Sequence, residues 1–86
     1  MYTSSIQSLK PVVSYLETNH VRILGENLSV ATSIVLLLTM PSGEQRDLAI
    51  NYEFLRQYSA EQIRGYLEKY DFVRKLEGSS QHISKL

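Results

Sequence analysis

Cysteine is absent from this chain of 86 residues. Neither a disulfide nor a thiolate zinc site can therefore staple it, and the hydrophobic core must do that work. Glycine occurs only at positions 25, 43, 65 and 78, too scattered to form a phosphate-cradling loop. Histidine is confined to His20 and His82, with no pair at helical ligand spacing, so no metal site is expected. No serine lies in a nucleophile-elbow pattern, and no cofactor motif occurs. Net charge is also lacking: nine basic residues balance nine acidic ones, which argues against bulk nucleic acid or an anionic membrane as the dominant partner. The longest apolar run, Ile34-Val35-Leu36-Leu37-Leu38, falls far short of the roughly 20 residues needed to span a bilayer. Met1-Tyr2-Thr3-Ser4-Ser5 shows no charged start followed by an apolar stretch, so the expectation is a chain without a signal peptide, working in the cytoplasm. The ending Ser84-Lys85-Leu86 matches the peroxisomal address. It carries meaning only for a eukaryotic protein with a free terminus, and chance is the preferred reading.

What is present suits one small domain. A chain of this length buries only about 60–65% of the surface its unfolded form exposes, so its core is thin and oligomerisation is a reasonable route to stability. Residues 1–7 read as a flexible lead, 8–77 as a single domain and 78–86 as a flexible tail. Ser8 is the expected cap of a helix over Leu9–Thr18, with Pro11 in the first turn. The alternative makes residues 9–18 a strand, because Val12-Val13 is β-branched. His20–Leu24 reads as a short strand and Gly25-Glu26-Asn27 as a turn.

Leu28–Met40 and Gln45–Tyr52 read as two strands joined by Pro41-Ser42-Gly43. A three-residue hairpin loop with glycine in the left-handed position sets Met40 opposite Glu44. Counting outward, Leu38 faces Arg46, Leu36 faces Leu48, Ile34 faces Ile50 and Thr32 faces Tyr52. One face then gathers Val30, Ile34, Leu36, Leu38, Met40, Leu48, Ile50 and Tyr52, an order that a one-residue slip would scatter. The other face carries Ala31, Ser33, Val35, Leu37, Asp47, Ala49 and Asn51. It is small or polar except for Val35 and Leu37, which need cover.

Beyond Tyr52 the pattern turns helical. Asn51 is the expected cap of a short helix through Tyr58, and Ser59-Ala60-Glu61-Gln62 has capping-box spacing. Ile63, Tyr66, Leu67 and Tyr70 form the apolar stripe of the second helix, which Phe72, Val73 and Leu76 extend. Gly65 in its middle suggests close packing. The fold class expected is α+β: a three-stranded antiparallel meander with an N-terminal helix and C-terminal helices.

Two functional readings follow. The first is a non-enzymatic regulator, adaptor or inhibitor that binds another protein, itself a homodimer, through Val35, Leu37, Tyr58, Tyr66 and Tyr70. Tyrosine is enriched in interface cores because it joins a large apolar area to a polar handle. The second is a nucleic-acid-binding regulator using Arg56, Arg64, Lys69, Arg74 and Lys75. The acidic residues Glu53, Glu61, Glu68, Asp71 and Glu77 neutralise that same segment and weigh against it.

Overall fold

The β2–β3 hairpin, Ser33–Thr39 and Gln45–Asn51, organises the molecule, and its register is the one the turn chemistry requires. In the computed structural model, which describes residues 2–84, Ile34 pairs with Ile50, Leu36 with Leu48 and Leu38 with Arg46. Met40 donates its N–H to the Glu44 carbonyl at 2.8 Å, and Gly43 donates back to the Met40 carbonyl at 2.8 Å. Gly43 has φ +92°, a region that only glycine enters without strain. The Tyr52 N–H reaches the Thr32 carbonyl at 3.0 Å, so the predicted register holds to the end of the ladder.

The element order is a 3-10 turn at Gln7–Leu9, α1 Lys10–Thr18, β1 Arg22–Asn27, β2, β3, α2 Tyr52–Gln57, α3 Ala60–Lys69, α4 Phe72–Gly78 and β4 Gln81–Ile83. The α+β class and the antiparallel β1–β2–β3 meander match the sequence reading, and residues 9–18 are helical rather than a strand. The sheet nevertheless has four strands, in the order β1-β2-β3-β4, with β4 parallel to β3. Part of the expected tail is therefore a strand. Gln81-His82-Ile83 carries too little apolar pattern to announce itself, and its partner lies three helices upstream, as a parallel crossover demands. Arg46 fixes its approach: Nε donates to the Leu76 carbonyl at 2.7 Å and Nη2 to the Glu77 carbonyl at 2.8 Å, closing the end of α4. Ser80 Oγ accepts from the Asp47 N–H at 2.9 Å, and Ile83 is buried opposite Ile50.

Other expectations shift by a turn or a few residues. Ser8 does not cap α1; it lies in the 3-10 turn, and Leu9 occupies the N-cap position without a side-chain cap. The helix ends in a Schellman motif, with Val21 N–H on the Leu16 carbonyl and His20 N–H on that of Glu17. His20 takes the left-handed position at φ +64°. The residues expected as a turn, 25–27, lie within β1, because the chain absorbs an extra residue as a β-bulge between Ile23 and Gly25. Residues 28–32 are a connection rather than strand, so Val30 is exposed instead of facing the core.

Asn51 caps α2 by accepting from the Glu53 N–H, and Ser59 with Gln62 forms the reciprocal capping box of α3. The segment after α3 does not extend it. Asp71 adopts φ +47°, a conformation that aspartate tolerates better than most residues, and the chain restarts as α4 so that Phe72 and Leu76 point inward.

The core lies on one side of the sheet. Ile34, Leu36, Leu38, Met40, Leu48, Ile50 and Ile83 form a single cluster with Leu9, Val12, Leu16, Phe54, Ile63, Leu67 and Leu76 from the helical segments. Tyr15 anchors α4 to α1 by accepting the Val73 N–H at 3.0 Å. Among the described residues no buried side-chain N or O lacks a partner.

The two central glycines should respond in opposite directions. At Gly65 an added Cβ meets nothing within 4 Å, so the close packing expected there does not exist. Gly65→Ala is expected to stabilise by about 1 kcal/mol through helix propensity. Gly43→Val is expected to destabilise by more than about 1 kcal/mol through backbone strain. Urea unfolding of both variants checks the pair.

Candidate functional surfaces

Because strands alternate their side chains, the residues between the core positions face the opposite side of the sheet. These are Arg22 and Asn27 from β1, Ser33, Val35, Leu37 and Thr39 from β2, Gln45, Asp47, Ala49 and Asn51 from β3, and His82 from β4. The buried cluster takes in every helix and none of these outward residues. Leu37 remains 39% exposed, whereas its sequence neighbours Leu36 and Leu38 are fully buried. Val35 and Ala49 are half-buried at the centre of the same face.

Leu24 in β1 joins them on this face. In register, Ile23 opposes Leu38 and Gly25 opposes Leu37, so Leu24 is the inserted residue, set beside Leu37 on the outer side. It is 52% exposed. The sequence pattern does not single out Leu24, because the strand expected over His20–Leu24 ends there and 25–27 reads as a turn; Gly25 directly after it is the one signal that a bulge was available.

The bulge also turns Glu26 inward, opposite Leu36. There the carboxylate gathers the N-terminal segment. Tyr2 Oη donates at 2.6 Å and Ser4 Oγ at 2.8 Å, and the Ser5 N–H and hydroxyl donate as well. Tyr2 is held a second time, by its N–H on Glu17 at 2.8 Å. Burial opposes the charge on Glu26, but the hydrogen bonds from Ser5, Tyr2 and Ser4 outweigh it and hold its carboxyl down to about 2. Burial, then the hydrogen bond to Glu26 and its charge, push the Tyr2 phenol up to about 12. Among the described residues every hydrogen bond to this carboxylate comes from the N-terminal segment, so it tethers that segment. The segment forms one wall of an open groove of about 1200 Å³, with α1 and the Ala60–Glu68 side of α3 forming the rest.

The tyrosines form a second surface on the helical side. Phe54, Tyr58, Tyr66, Tyr70 and Phe72 make a continuous aromatic row with centroid spacings of 5.1 to 6.1 Å. Tyr58 and Tyr66 are half-buried, packed against the core, and Tyr70 is 47% exposed. Val35 and Leu37 lie on the other side of the sheet, so the structure separates the five expected partner-binding residues into two groups.

The basic residues are dispersed. Arg56 pairs with Glu53; Arg64 pairs with Glu68 at 3.2 Å and donates to Ser14 at 2.7 Å. Lys69 and Lys75 sit 5.5 and 5.8 Å from the Tyr70 ring centroid, and Arg74 is exposed on α4. His20 and His82 are at opposite ends of the chain's order, and among the described residues no three His, Cys, Asp or Glu side chains cluster to hold a metal ion. No described helix is long and apolar enough to cross a membrane. Of the terminal tripeptide, Ser84 is exposed, while Lys85 and Leu86 lie outside the described residues. No protein-family model, curated protein or solved structure matches the chain.

The tether has a pH signature. A carboxyl near 2 in the folded chain against an ordinary value of 4.5 favours the folded state fully above about pH 4.5, and this contribution is lost as pH falls through about 2. Thermal melts of the wild type should therefore gain stability between about pH 2 and pH 4.5, and Glu26→Gln should flatten that slope and lower the melting temperature at neutral pH.

Proposed function

We propose that this chain is a non-enzymatic protein-binding domain, of the regulator, adaptor or inhibitor type, whose contact surface is the uncovered face of its sheet. One observation carries the reading: every helix packs on the same side, leaving Leu24, Val35 and Leu37 side by side on the other. Antiparallel sheets do solvate one face, but that face then reads as polar. Here its centre is apolar, with Ala49 as a small neighbour that admits close approach. Leu28 and Val30, 49% and 42% exposed in the β1–β2 connection, add apolar surface at one end. A grouped apolar patch rimmed by polar residues is the usual mark of a protein contact.

The helical side supports this reading less well. Tyr58 and Tyr66 are engaged with Phe54 and Phe72, and the Tyr70 ring lies against Lys69 and Lys75.

A photo-crosslinking residue placed at Leu37, in cells that naturally produce the protein, tests the proposal. The expected result is a discrete protein adduct from position 37 and none from position 61 on the exposed side of α3. Adducts only from position 61, or to nucleic acid rather than protein, would overturn it.

A further inference from the structure

Resting on that reading of the sheet face, we infer that its partner is a second copy of this chain, docked through a reciprocal pair of Arg22–Asp47 contacts. The outward positions of the four strands carry two charged side chains, Arg22 on β1 and Asp47 on β3. Both are exposed, and neither forms an ion pair among the described residues. They flank the apolar centre on opposite sides, since Arg22 is registered with Thr39 and Asp47 with Leu37. One positive and one negative group set across an apolar patch is a self-complementary arrangement, which a two-fold interface requires.

Sheet dimensions make the complementarity specific. Strands lie about 4.8 Å apart and alternate residues about 6.8 Å apart along a strand, which puts Arg22 and Asp47 about 12 Å apart across the face. Consider a two-fold axis lying in the face and passing midway between them, perpendicular to the line that joins them. It exchanges the two residues, so that each copy's Arg22 meets its partner's acidic residue, twice over. The same rotation carries Leu37 to within about 3 Å of the Leu24 position on the other copy, measured in the plane of the face. The exposed Leu24 at the bulge is thus the residue that Leu37 meets, and ion pairs and apolar contacts form in one arrangement. The strands of the two copies cross steeply, as in orthogonal sheet packing.

The overlap is small, a few hundred Å² from each copy, below the roughly 1,200 Å² total of a standard stable interface. The dimer is therefore reversible and dependent on concentration.

A charge-swap series read by sedimentation over a wide concentration range tests the inference. Arg22→Asp alone and Asp47→Arg alone each set like charges against each other and should weaken association at least tenfold. The double variant Arg22→Asp/Asp47→Arg should restore it, which loss of folding or loss of apolar area would not do. Circular dichroism melts confirm that each variant folds, as expected for exposed positions. A wild type that stays monomeric at millimolar concentration overturns the homodimer; a protein adduct from position 37 to a different chain would then leave the docking face itself standing. Association that ignores both single reversals, or that the double variant does not restore, overturns the Arg22–Asp47 arrangement.

Discussion

The register of the β2–β3 hairpin is the constraint on which the other features rest. The three-residue turn with Gly43 in its left-handed conformation fixes which residue faces which, and a strand's period of two then assigns every side chain to a face. Ile34, Leu36, Leu38, Met40, Leu48 and Ile50 are sent to the helices. By the same rule Val35 and Leu37 are sent away from them. A single helical layer covers the first group. No described helix lies over the outer face, where Leu37 stays exposed and Val35 half-buried.

A second device sits at the edge. The extra residue in β1 leaves Leu24 outward beside Leu37, yet turns Glu26, two residues on, in toward the N-terminal segment. Without the bulge, continuous alternation from the inward Ile23 would send Leu24 and Glu26 alike outward, and the tether would be lost. Bulges at sheet edges also discourage unwanted strand pairing along the β1 edge.

Much of this was legible from residue patterns, where local chemistry and burial agree. Pro41-Ser42-Gly43 gave the register because turn geometry and apolar pattern pointed the same way. Ser59 with Gln62, and Asn51 ahead of Glu53, gave the helix starts because capping is local. The misses share a cause: each depends on contacts distant in sequence. β4 exists because Ile83 packs beside Ile50 and Arg46 holds the end of α4, and nothing within Gln81-His82-Ile83 announces that. Glu26 looked like a turn residue because its partners, Tyr2, Ser4 and Ser5, lie more than 20 residues away. Gly65 suggested a tight contact, yet its Cβ position is open. For the site, Val35 and Leu37 were visible as an apolar pair needing cover. That the tyrosines occupy the other side of the sheet followed only from the packing of α2 and α3.

The central claim is that two copies of the chain meet through the sheet's outer face, not its helical side, and amide chemical shifts followed over a wide protein concentration range test it most directly. The account predicts concentration-dependent shifts at Arg22, Leu24, Leu37 and Asp47, with Ile63 and Leu67 unmoved. Shifts confined to Tyr58, Tyr66 and Tyr70, or none at any position up to millimolar protein, would contradict it.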